Sequence, residues 1–307
     1  MRTRHAFEYA AFRFAVALVR RLPFAVLRPL LGGLGRLAHV LGLRRRVVET
    51  NLSVALGEAG PSGRVRDVAR TCYAENGRIV AEILKEERLL RDPGRTFDMA
   101  GIENLRNAIS AGRGVIVLTA HFGNFVFAGY QLARLGYPMA YVSKPVHNPA
   151  VRLELEKVYT KYGNTLIPIG GFKNDPAGGM RIFKALKRGG TVVVINDQDA
   201  GPEGYRSVFF GVPTFIPSGP AHFAFRTRAA VITAFVARRD GKVALRFGEA
   251  VDYSKAATPE EAEALILDEY SRRLEAAVRE TPALYFWFHK KWKSVPEMRA
   301  RYEGRAQ

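Results

Sequence analysis

Three short β-rich runs each end in a side chain that can hold or move a proton. "GVIVLTA" at 114–120 delivers His121, "MAYVSK" at 139–144 ends on Lys144, and "TVVVIN" at 191–196 is followed by Asp197 and Asp199. Histidine changes charge near neutral pH, and beside a carboxylate it can take the proton of a hydroxyl as a general base. Lysine and a helix N-terminus can hold a developing negative charge. In an open α/β sheet, ligands bind beyond the carboxyl ends of the strands, where the loops converge. His121, Lys144, Asp197 and Asp199 are therefore expected to share one cleft. A histidine after a strand is more often a hydrogen-bonded structural residue, but this one sits beside Gly123-Asn124 at a helix start, which favours the cleft.

The elements that must position these groups follow from the pattern. Besides 114–120, 139–144 and 191–196, β-rich runs occur at 96–99 and 165–169, and periodicity predicts helices over about 102–111, 124–136, 148–162 and 178–188. Strands alternating with helices of about ten to fifteen residues imply crossovers and a mostly parallel sheet flanked by helices, an α/β fold. "AAVITAFVARRDGKVALRFGEAV" reads as a hairpin turning at Asp240-Gly241. Thr258-Pro259 opens an amphipathic helix over about 258–280, and a helical stretch over about 45–90 closes at Pro93-Gly94.

The 307 residues, 48% of them hydrophobic, suffice for a large core. A single cysteine, Cys72, excludes an internal disulfide framework and a cysteine-based zinc site. Forty-seven Lys and Arg against 29 Asp and Glu give a net charge of +18, so partners are expected to be anionic. Residues 1–46 carry ten arginines and one acid, Glu8. Their apolar pieces fall short of the roughly 18 uncharged residues of a spanning helix and lack the layout of a signal peptide. They suit an amphipathic helical segment lying on an anionic phospholipid membrane, followed by the α/β domain over 47–307. A nucleic-acid role is not expected, because no nucleic-acid fold pattern accompanies the charge.

No G-x-S-x-G elbow, Walker A loop or H-E-x-x-H is present, and "GGLGRL" lacks the G-x-G-x-x-G spacing. What remains is an ordered set of segments: "RRRVVETNL", "LTAHFGNF", "KPVHNP", "NDQDAG", "FFGVPTFIPSGPAHFA" and "FWFHKKWK". In this order and spacing the chain resembles the late lipid A biosynthesis acyltransferases of the lauroyl/myristoyl type, within the lysophospholipid-acyltransferase group. The resemblance implies a glycerol-phosphate-acyltransferase-like fold. It also implies transfer of a fatty acyl group from a thioester of acyl carrier protein or coenzyme A to a hydroxyl of a lipid A precursor or related glycolipid. No metal and no cofactor beyond the thioester co-substrate is implied. The expected place of work is the cytoplasmic face of the bacterial inner membrane, as a monomer. By the same resemblance His121 is the general base, with Asp197 and Asp199 as the acidic block beside it. Asn124, Lys144, Phe210, Gly211, Ser218 and Gly219 would contact acceptor or acyl chain.

One position departs from the family. The family places Asp or Glu five residues after the histidine, and here that position is Val126. Valine cannot orient an imidazole or stabilise imidazolium. Either Asp197 or Asp199 replaces the missing acid, or His121 works unassisted, or the chain binds lipid or a partner without transferring acyl groups.

The aromatic-basic "FWFHKKWK" suits either a membrane interface or packing of Trp287 and Trp292 on the body of the protein. His289 and His222 read as structural residues, His222 at a helix start near the cleft, and His147 as a solvated loop residue.

Overall fold

The computed structural model describes residues 19, 21–144, 149–170 and 175–304. Three apolar helices come first: α1 (Phe24–Val40), α2 (Arg45–Leu56) and α3 (Gly63–Leu84). The expected helix over 45–90 is broken by Gly57 in the left-handed conformation, and α3 restarts from Ser62, whose hydroxyl accepts the Val65 N–H. α1 and α3 meet backbone to backbone. A Cβ on Gly35 would stand 2.2 Å from the Tyr73 carbonyl oxygen, and one on Gly77 2.0 Å from that of Leu31. On its other side α1 exposes Val26, Leu30, Leu34 and Leu37. Among the described residues no single helix is long and apolar enough to cross a membrane, and α1 and α2 meet at 93°. Residues 1–18 and 20 of the expected membrane segment, with Arg2, Arg4, Arg13 and Arg20, lie outside the described residues.

The α/β body follows: β1 (Phe97–Ala100), α4 (Ile102–Ser110), β2 (Val115–Thr119), α5 (Phe125–Arg134), β3 (Ala140–Ser143), α6 (Pro149–Tyr159), β4 (Thr165–Pro168), α7 (Pro176–Lys187) and β5 (Thr191–Ile195). After a small antiparallel hairpin of β6 (Tyr205–Phe209) and β7 (Val212–Ile216) come α8 (Gly219–Thr227), β8 (Ala230–Arg239), β9 (Lys242–Phe247), α9 (Pro259–Glu280) and α10 (Pro296–Glu303).

Seven strands form one sheet in the order β1-β9-β8-β2-β5-β3-β4, parallel at every pairing except β8 with β9. The Val-Ile-Val-Leu-Thr run of β2 is buried along its whole length, as expected for a parallel strand covered on both faces. The β8–β9 hairpin turns at Asp240-Gly241, both at positive φ, as the sequence predicts. After β2 the chain crosses past β5 to reach β3, and after β5 it crosses back past β2 to reach β8. The carboxyl ends of β2 and β5 thus flank the switch point of the sheet, where a ligand crevice belongs.

Candidate active site

β2 and β5 are in register with Thr119 opposite Ile195, and the ladder continues through the Asn196 N–H to the Thr119 carbonyl at 3.0 Å. His121 and Asp197 each stand two residues beyond that pair, so two strands of one sheet deliver them to the same spot. The His121 Nδ1 lies 2.8 Å from the Asp197 Oδ1. An ionised carboxylate only accepts, so Nδ1–H is the donor and Nε2 keeps its lone pair for the cleft. Burial pulls the imidazole toward its neutral form, but the charge and hydrogen bond of Asp197 outweigh it and raise the His121 pKa. Burial would likewise favour a protonated Asp197. His121, then Lys291, more than offset this and hold the carboxyl far below its usual range.

The loop after His121 is pinned from two sides. Gly123 has φ +58, and a Cβ there would stand 2.1 Å from the Val236 carbonyl oxygen, so only glycine lets the loop lie on β8. On the other side the chain after α9 pairs with it. The Phe286 N–H donates to the His121 carbonyl at 2.9 Å, the Gly123 N–H donates to the Leu284 carbonyl at 2.9 Å, and Phe122 bridges Tyr285. The His121 ring thereby sits among Phe125, Phe286 and His289, with centroids 5.9, 6.0 and 5.5 Å away. His289, read from the sequence as structural, stands beside the His121 ring. It shares a 2.7 Å hydrogen bond with the Gln198 side chain, and burial followed by the nearby His121 lowers its pKa.

The two acids of "NDQDAG" part company. Asp199 accepts from the Gly201 N–H at 2.8 Å and from the Ser294 hydroxyl and N–H at 2.7 and 2.9 Å, so it fastens the loop to the chain before α10 rather than partnering His121. Asn124 also does something other than expected. Its Oδ1 caps α5 by accepting the Phe127 N–H, and its Nδ2 donates to the Glu82 carboxylate at 3.0 Å, leaving it buried beneath the loop. Glu82 belongs to an ionic network that the sequence did not reveal: Arg238 donates to Glu75 and Glu82, each at 2.7 Å, and Arg28 of α1 reaches Glu82 at 3.4 Å.

Lys144 ends β3, beyond β5 from β2, with its side chain in solvent. Phe210-Gly211 is the two-residue turn of the β6–β7 hairpin, both at positive φ. Phe210 packs on Trp287 and under Arg279, and its N–H donates to Glu275 at 2.6 Å, so this segment holds the core together rather than lining the His121 crevice. Ser218 precedes α8 and Gly219 is its buried first residue. The adjoining Pro217 carbonyl accepts from Asn196 at 3.1 Å, which brings that corner to the end of β5. His222 faces Glu263 at 3.0 Å, and His147 lies outside the described residues. Trp287 and Trp292 are fully buried, which decides between the two readings of the aromatic-basic segment in favour of packing. Val126 is buried in the apolar cluster that includes Val117, Phe127 and Ile232. A groove of about 1090 Å³ between β6 and α9 includes neither His121 nor Asp197, so volume does not locate the chemistry here.

A histidine oriented by a buried carboxylate at a switch point has the chemistry to take a proton from a hydroxyl. The family described as bacterial lipid A biosynthesis acyltransferase matches residues 2–294. The chain is 28% identical over 228 residues to a phosphatidylinositol mannoside acyltransferase of Mycolicibacterium smegmatis, covering 70% of this chain and 69% of that one. It is 25% identical over 284 residues to a lipid A biosynthesis palmitoleoyltransferase of Escherichia coli, covering 90% and 88%. The chain belongs to the bacterial lipid A biosynthesis acyltransferase family, and it is an acyltransferase.

Proposed function

We propose that the protein moves a fatty acyl group from the thioester of acyl carrier protein or coenzyme A to a hydroxyl of a lipid A precursor or related glycolipid. The contact of His121 Nδ1 with Asp197 Oδ1 carries this reading, because it supplies the carboxylate partner that Val126 does not. Nε2 takes the acceptor's proton as its oxygen bonds to the thioester carbonyl carbon. The tetrahedral intermediate then collapses, the carbon–sulfur bond breaks, and the proton on Nε2 passes to the leaving sulfur. Asp197 holds the ring and stabilises the imidazolium between the two transfers. The N-terminus of α5 is the group assigned to the oxyanion. The exposed apolar stripe of α1, flanked by Arg21, Arg28 and Arg36, suits an anionic phospholipid surface, as acylation of a membrane glycolipid at the cytoplasmic face requires. The sequence excess of positive charge favours an acidic carrier protein as donor.

A second reading, lipid or partner binding without turnover, rests on Val126 alone. Purified protein incubated with acyl carrier protein or coenzyme A thioesters and a panel of lipid hydroxyl acceptors separates the two. Acyl transfer by the wild type and its loss in His121→Ala are expected. Equal transfer by the variant removes His121 as base, and binding without transfer by the wild type leaves the second reading.

A further inference from the structure

Of the three lysines in "HKKWK", the middle one is inside the protein. Lys291 is 3% exposed, carried in between the fully buried Trp287 and Trp292. Its Nζ donates to the Asp197 backbone carbonyl at 2.5 Å and lies over the Phe209 ring, 4.8 Å from the centroid. A buried ammonium is costly unless something compensates it, so its place against the reactive carboxylate calls for a physical reason.

We propose that Lys291 is a positioning residue for the His121–Asp197 pair, clamping the Asp197 carbonyl and supplying the buried positive charge against which the carboxylate stays ionised while His121 is neutral. The inference rests on the reading of His121 as base. Counting formal charges makes the need plain. With His121 neutral and ready to accept a proton, Asp197 and Asp199 carry two negative charges and Lys291 one positive. Without Lys291 the pocket would hold two buried anions with no buried cation beside them, which favours uptake of a proton by His121 or Asp197.

The titratable groups around the ammonium come from every side of it. Asp197 and Asp199 on the loop after β5 act on the ammonium itself, and Tyr302 on α10 bonds the backbone of its segment. The same Asp197 is faced by His121 after β2, by Tyr270 on α9, and by Tyr285 and His289 on the segment of Lys291. Burial pushes the Lys291 amine down to about 8, with the two aspartates pulling it back, so it remains mostly charged near neutrality. Removing the charge that favours the Asp197 carboxylate makes protonation of the His121–Asp197 pair easier, and the His121 titration is expected to move up by roughly one pH unit.

The test is an NMR titration of the histidine rings in the full chain, with His121→Ala assigning the His121 signal. In Lys291→Met the His121 midpoint is expected about one unit above wild type, and in Lys291→Arg close to it. A folded Lys291→Met protein with an unmoved midpoint overturns the proposal, because a purely structural wedge would lower stability without moving the titration. If the Met variant does not fold, Lys291→Gln, which keeps an N–H donor for the Asp197 carbonyl and loses the charge, carries the test: a midpoint about one unit above wild type supports the proposal, and an unmoved one overturns it. Acyl transfer measured alongside keeps the two readings apart. A His121→Ala protein that still transfers acyl groups removes His121 as base, whereas the titration tests Lys291 either way.

Discussion

The carboxylate of Asp197 reaches His121 across 76 residues of sequence because both follow strands paired side by side, at the same distance past the last shared rung. The acid in this protein thus comes from the neighbouring strand and not from the helix that follows the histidine. That relationship makes the two aspartates of one short segment separable by experiment. Asp197→Asn should keep the fold and lower turnover by about a thousand- to ten-thousand-fold, the scale found when the orienting acid of a catalytic triad becomes its amide, or roughly 4–5 kcal/mol. Asp199→Asn should cost stability through the Ser294 and Gly201 contacts and leave most of the turnover. Steady-state rates of the two variants check this, and the opposite ranking would transfer the partner's role to Asp199.

The pair also predicts how stability follows pH. His121 has a raised pKa in the folded protein, so its share of stability is complete below its unfolded value of about 6.5 and is lost as pH climbs through the folded value. Asp197 has a depressed one, so its share is present above about 3.9 and is lost only in stronger acid. The gap in melting temperature between wild type and Asp197→Asn should be widest at about pH 4.5–6 and narrow toward pH 8. A gap that widens with rising pH would contradict the assignment.

Restoring the family's acid should not help. In Val126→Glu a carboxylate would enter an apolar cluster at a position 8% exposed, and a destabilisation of about 2–4 kcal/mol is expected. Because Asp197 already orients His121, turnover per folded molecule should not rise. Denaturant melts with parallel activity assays measure both, and a clear gain in turnover would favour the binding-only reading of the wild type.

Among the described residues, Arg238 is the guanidinium that bridges Glu75 and Glu82. Arg238→Met leaves two buried carboxylates short of a partner and should cost about 3–5 kcal/mol. Since Glu82 holds Asn124, and Asn124 caps the helix behind His121, turnover should fall with stability rather than separately from it. A variant as stable as wild type in a thermal melt would show that Arg28, which reaches Glu82, and Arg78, which donates to Glu75, suffice.

The alternation of strands and helices, the Asp240-Gly241 hairpin and the meeting of His121 with the "NDQDAG" block were legible because each follows from local pattern or from the rule that strand ends converge. Which of two aspartates faces the ring was not, since that depends on Ser294 being nearby in space. The β6–β7 turn was hidden because Phe210, a bulky residue at positive φ, carries none of the Asn-Gly or Asp-Gly signal of such turns. Asn124 read as a ligand contact because a cap and a contact use the same side chain. Nothing in the sequence singled out Lys291 among the lysines of its segment, and its burial becomes visible only with the two buried tryptophans on either side of it.

The backbone of Leu284 and Phe286 forms one wall of the crevice and holds the His121 loop by hydrogen bonds. His121 itself is encoded far upstream, so during synthesis the histidine, its aspartate and the whole parallel sheet leave the ribosome before that wall exists. A nascent chain long enough to fold its sheet therefore has no finished catalytic pocket, and the competence to react is acquired late, when the segment before α10 closes onto the loop.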